Sequence, residues 1–177
     1  MKNSLIFLML IFHMDLLFAQ GCFPEGISFS TQTQIDNFQY SYPGCTEIDG
    51  NVKIEGVVTI TNLNGLSVLT SISGNLEIGN STHGTTSLIN LEGLNNLVYV
   101  GGNLTIHTND QHINLTGLDH LTSIGNNLII TGNLSLKSIL GLNNLTSIGG
   151  SVKFNGNRLT SLAGLEKVTT IPGHLRI

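Results

Sequence analysis

The chain has 177 residues, 10% of them charged, with a formal net charge of −4, 21 glycines, two cysteines and no tryptophan. Its seven Lys and Arg stand singly along the sequence. That pattern offers no basic stripe for nucleic acid and no polybasic patch for a membrane surface, and the many Asn, Ser and Thr suit an exported protein built from turns better than a cytosolic domain.

Residues 1–19 read as a cleavable signal peptide. Lys2 gives the positive start, Leu5 to Phe18 the apolar run, and Ala19 the small residue before a cut at Gln20. The run is about 15 residues long against the roughly 20 that a spanning helix needs, and it contains His13 and Asp15. A lipid anchor on Cys22 fits worse, because Ala19 stands where a lipoprotein box has Leu. No later apolar run is long enough to span a bilayer, so no transmembrane span is expected in the mature chain. A secreted or cell-surface protein is the expectation.

Residues 20–47 read as an N-terminal helical cap. Thr31 followed by Gln34 fits a capping box, Ile35 and Phe38 share one helical face, and Pro43 stops the helix. Cys22 and Cys45 bracket this helix. An even cysteine count in an exported chain suggests one disulfide, two buried free thiols being the alternative.

From Ile48 onward one apolar ladder returns at fixed steps. Leu118, Leu121, Ile124, Leu128 and Ile130 come back as Leu142, Leu145, Ile148, Val152 and Phe154. Within a cycle the steps are 6, 3, 3, 3, 3, 4 and 2, a period of 24. A fixed period in this range marks a solenoid. Steps of three drift off a 3.6-residue helical face, and each cycle carries helix-breaking Gly and Asn. The step of two, as in Leu128-x-Ile130, is strand spacing with both side chains on one face. Residues 48–177 are therefore expected to form an all-β stack of parallel coils about 4.8 Å apart around one core.

Three polar columns mark the corners. Gly65, Gly93, Gly117, Gly141 and Gly164 each precede a ladder Leu, which suggests positive φ or no room for a Cβ. Asn51, Asn75, Asn103, Asn127, Ser151 and His174 precede the strand, where Asn suits the left-handed region. Asn109, Asn133 and Asn157 follow it, and stacked amides bond along such an axis. Ile177 falls inside the strand motif with no second cap, so further C-terminal domains in a longer protein are expected, an open edge paired with something else being the alternative.

The residue between the two inward strand positions faces out. That row runs Lys53, Glu77, Thr105, Ile129, Lys153, Arg176, and the residue after the strand runs Glu55, Gly79, His107, Thr131, Asn155. The period breaks once: Leu76 to Leu104 is 28 residues, so four have been inserted within 79–90. Insertions in a solenoid loop out on one face, often the binding face. Candidate ligand-binding residues are therefore Asn80, Thr82, His83 and Thr85 in the loop, with Lys53, Glu77, Thr105, His107 and Lys153 on the strands. A β-helix enzyme acting on polysaccharide would want paired carboxylates on neighbouring coils. Glu55 and Glu77 stand in different columns, so no catalytic residue is assigned. His83, His107 and His112 lack an accompanying Cys or carboxylate at ligand spacing, so neither a metal site nor a cofactor is assigned. His112 sits on a ladder position and reads as a partly buried substitute for Leu, or as displaced by Ile113. Five N-x-S/T sequons, at Asn80, Asn103, Asn114, Asn133 and Asn144, arise largely from the repeat itself.

A Cys, a short capping helix, a second Cys and then coils of the form L-x-x-I-x-G-[NS]-[LV]-x-[IF], as in Leu69 to Ile78, resemble the receptor L domain. The resemblance covers about residues 22 to 177. It implies the right-handed parallel β-helix found in the extracellular parts of insulin- and EGF-type receptors. The opening stretch from Gly21 to Gly56 is most similar to the secreted bacterial (Bacteroidetes) members. Receptor members bind protein ligands on the surface of the helix, but they use paired L domains, a Cys-rich region and a membrane span, none of which is present here. Fold carries over further than function. The functional expectation is a non-catalytic recognition or adhesion module for an extracellular protein or glycan, with a structural spacer as the alternative.

Overall fold

A computed structural model of the chain describes residues 21–55, 59–79, 87–110 and 114–177. The signal-like segment, His112 and loop residues 80–86 lie outside these.

The ladder builds a solenoid of about six turns from two parallel sheets. One sheet takes the long strands in the order β1 (Ile27–Phe29), β3 (Val52–Ile54), β5 (Leu76–Ile78), β7 (Leu104–His107), β9 (Leu128–Thr131), β11 (Val152–Asn155) and β12 (Leu175–Arg176). The second stacks the two-residue strands β2 (Glu47–Ile48), β4 (Ser71–Ile72), β6 (Tyr99–Val100), β8 (Ser123–Ile124) and β10 (Ser147–Ile148). The step of four from Ile72 to Leu76 is the corner between the sheets. Register follows the period: Leu104 pairs with Leu128, which pairs with Val152, 24 residues on each time. The insertion is visible as Leu76 pairing with Leu104. The last coil is one residue short, since Val152 pairs with Leu175.

Each ladder residue from Ile48 to Phe154 is buried in a single core. A buried Leu or Ile contributes about 1.5–3 kcal/mol relative to exposure, and stacking is what gives each coil that burial. In the last coil Leu159, Leu162, Leu165, Val168 and Ile171 are only partly buried. No further coil among the described residues lies over them.

The cap takes the place of a preceding coil at the other end. The expected single helix is two, α1 (Gln32–Asp36) and α2 (Phe38–Ser41), broken at Asn37. The capping box forms: the Thr31 hydroxyl accepts from the Gln34 N–H, and the Gln34 side chain accepts from the Thr31 N–H. Ile35 and Phe38 are buried. Phe38 packs on Phe29 and Phe23, at ring separations of 5.7 and 6.2 Å. The Gln32 side-chain carbonyl accepts the N–H groups of Thr61 and Asn62, which face the cap at the end of the stack. The cap also supplies the unanticipated strand β1, whose Ile27 and Phe29 pair with Val52 and Ile54.

Cys22 and Cys45 form a disulfide, with Cα atoms 5.9 Å apart and a sequence separation of 23. Closing a loop of that size stabilises by about 3 kcal/mol. Denaturant unfolding of a Cys22→Ala/Cys45→Ala variant is expected to show a loss of that order; an unchanged midpoint would mean the cap is held by its aromatic packing alone.

The Gly column mixes both expected causes. Gly117 has φ of +109°, and a Cβ there would collide with the carbonyl of Leu91 one coil earlier. At Gly141 φ is ordinary, and crowding by the Leu115 carbonyl alone demands glycine. The Asn column departs from expectation. The positive-φ non-glycine residues among those described are Phe23 and Thr108, so Asn51, Asn75, Asn103 and Asn127 do not use the left-handed region. They are there for hydrogen bonds instead. Each Oδ1 accepts both the backbone N–H and the side-chain NH₂ of the Asn one coil on, from Asn51 to Asn75, Asn103 and Asn127.

The second amide ladder runs the opposite way. Asn133 Oδ1 accepts from the Asn109 N–H, and Asn157 Oδ1 accepts from the Asn133 N–H. Asn133 is fully buried, and its NH₂ donates to the Ile106 and Thr131 carbonyls. This sequon therefore has no free amide nitrogen. Protein secreted from a eukaryotic host is expected to carry no glycan at Asn133 by mass spectrometry; occupancy there would contradict the ladder.

Candidate recognition face

Strand alternation sets one side-chain row of the seven-stranded sheet outward. β-Register places Ser28, Lys53, Glu77, Thr105, Ile129, Lys153 and Arg176 side by side, one per coil. Ser28 joins the row through β1, which was not foreseen. Flanking side chains point inward and are buried, as the pattern of β3, β5 and β7 shows. The structure thus brings four of the candidate residues, Lys53, Glu77, Thr105 and Lys153, onto one row. Asn80, Thr82, His83 and Thr85 lie outside the described residues.

The acids at the cap end of this face are paired rather than isolated. Lys53 Nζ lies 2.7 Å from Glu55 Oε2. The hydrogen bond to Glu55 holds the Lys53 ammonium above its usual range, with partial desolvation opposing and the Glu55 and Glu77 charges adding. His107 Nε2 lies 2.9 Å from Glu77 Oε1. His107 was expected to face solvent. It is instead 9% exposed, because β7 runs one residue beyond its inward pair and Thr108 then turns away with φ of +56°. The sequence hid the second pair, since 30 residues separate His107 from Glu77 and nothing local links them. Glu55 thus faces a lysine and Glu77 a histidine.

Hollows border the row at both ends. Near the cap, one of about 360 Å³ is lined by Glu25, Ser28, Asn51, Lys53, Asn75 and Glu77 among others. At the far end, one of about 250 Å³ lies among Asn127, Ile129, Ser151, Lys153, His174 and Arg176. Of the three histidines weighed for zinc, His107 is the described one, and it is committed to Glu77. Among the described residues no group of three or more His, Cys, Asp or Glu is placed to hold a metal ion. No helix among them is long and apolar enough to cross a membrane.

The row presents polar and charged side chains at the inter-strand spacing of about 4.8 Å. No curated protein and no solved structure matches this chain. Residues 44–104, which span the end of the cap and the first coils, match the family model of the receptor L domain.

Proposed function

We propose that this chain is a non-catalytic recognition module of the receptor L-domain kind, secreted or displayed at the cell surface, which holds an extracellular protein or glycan on the outward row of the seven-stranded sheet and on the 79–90 loop. The observation that carries the reading is the contrast between rows of one sheet. The inward positions are uniformly Leu, Ile, Val or Phe, because the core fixes them. The outward row at the same spacing holds two hydroxyls, an acid, three cations and an isoleucine. Packing does not require that variety; a binding surface does.

The receptor L-domain match supports a ligand-binding role. Secretion is supported by the signal-like start and by the disulfide, which suits an oxidising compartment. A place among the secreted bacterial members rests on the similarity of the Gly21 to Gly56 stretch.

The test is an array of extracellular proteins and glycans probed with the purified chain and with a variant in which 79–87 is replaced by a short turn. A specific ligand whose binding weakens in the loop variant supports recognition. The absence of any ligand would favour a spacer, and turnover of a polysaccharide would overturn the non-catalytic reading.

A further inference from the structure

The solenoid is electrically uneven along its axis. Residues 21–120 hold one Lys or Arg, Lys53, against nine Asp and Glu; residues 121–177 hold five Lys and Arg against Glu166 alone. Coils stack in chain order, so the split in sequence is a split in space. The cap end is acidic and the far end basic.

On the outward row the contrast is local. At the cap end Lys53 stands beside Glu77, an attractive pairing. At the far end Lys153 stands beside Arg176. Like charges on adjacent strands destabilise, and the ion pairs among the described residues are Lys53–Glu55 and His107–Glu77. Lys153 and Arg176 therefore have no acidic partner among the described residues. Both are exposed and both line the hollow of about 250 Å³.

The other groups of the hollow define what it can take. The Asn127 amide is already used: its oxygen accepts from the Ser151 N–H and its NH₂ donates to Asn103. Ser151 Oγ accepts from the His174 N–H, which leaves its O–H to donate. Lys153 and Arg176 can only donate, the Ser151 hydroxyl keeps its hydrogen to give, the His174 ring can donate or accept, and half-buried Ile129 supplies an apolar surface beside them. A neutral sugar needs acceptors as well as donors. A rim with two cationic donors against an aliphatic surface matches an acidic group attached to a ring with a C–H face.

We infer that this hollow binds an anionic saccharide unit, a uronate or sulfated sugar, with Arg176 and Lys153 on the acidic group and Ile129 against the ring. Arg favours such oxyanions through its planar pair of N–H donors, and Lys adds a point charge. The inference rests on the outward row being a binding face and names its ligand class.

Calorimetric titration of the full chain tests it, with a heparin-derived octasaccharide and an oligogalacturonate as probes and a neutral dextran oligosaccharide and hexaglutamate as controls. At least one acidic saccharide is expected to bind, more weakly as salt rises. Lys153→Gln/Arg176→Gln is expected to weaken it about tenfold or more, as loss of charge-assisted bonds does. Lys137→Gln/Arg158→Gln removes the same charge elsewhere at the basic end and is expected to change binding little. Four results would overturn the inference: no acidic saccharide binds, both double variants lose binding equally, Lys153→Gln/Arg176→Gln binds like wild type, or hexaglutamate is preferred. If acidic saccharides fail while an array ligand still binds, the inference falls and the recognition reading stands.

Discussion

Gly117→Ala is expected to destabilise the chain by about 3–5 kcal/mol, against about 1 kcal/mol for Gly132→Ala. Both glycines have positive φ, at +109° and +69°, so both substitutions carry the strain of a left-handed alanine. They differ in what the methyl group meets. At Gly132 the nearest heavy atom to the new Cβ is 3.7 Å away, an ordinary contact. At Gly117 the Cβ falls on the carbonyl of Leu91, a backbone atom that cannot rotate aside. Making room means separating two coils whose ladder leucines are fully buried. Urea midpoints of the two variants check this, and equal losses would show that φ strain, not coil spacing, governs the column.

Asn133→Ala is expected to cost about 3 kcal/mol, while Asn126→Ala stays within about 0.5 kcal/mol. The two residues share a composition argument and nothing else. Asn126 is exposed. Asn133 is fully buried, accepts the Asn109 N–H at 3.0 Å and donates to the Ile106 carbonyl at 3.1 Å. Removing its amide takes the acceptor from one buried N–H and a donor from one buried carbonyl, each worth about 1–3 kcal/mol. The loss is a sizeable share of a stability of about 5–15 kcal/mol. Guanidinium unfolding of both variants measures it; parity between them would mean that water replaces the ladder.

These two predictions mark where the sequence is legible. Period, strand step and inward ladder are readable because one physical demand, burial, is repeated in every coil. The capping box is readable because its two partners lie three residues apart. The break at Asn37 is not, since Asn is allowed in a helix and the break is set by how Ile35 and Phe38 dock on the first coil. Strand β1 is missed because Ile27-Ser28-Phe29 precedes the first full cycle and has no repeat to announce it. The column from Asn51 to Asn127 is read as a corner correctly and for the wrong reason: left-handed φ is a single-residue property, whereas its amide ladder is a relation between residues 24 or 28 apart; for Asn109, Asn133 and Asn157 the stacked amides are expected and found.

The candidate face divides the same way. Which residues form the outward row follows from strand alternation and period alone. Its pairings do not. Glu77 and His107 come from neighbouring columns on successive coils and meet through side-chain reach. The charge split along the axis was present in the sequence, but singly spaced Lys and Arg read as scatter until each is assigned to a coil. Stacking turns their order in the chain into position along an axis.

The central claim is that the inward rows hold the solenoid together and the outward row recognises a ligand. Its most direct test replaces Lys53, Thr105, Ile129, Lys153 and Arg176 together by Ser and measures binding of the array ligand alongside the unfolding midpoint. A chain that unfolds near the wild-type midpoint and no longer binds is the predicted result. Undiminished binding by that folded variant would contradict the claim.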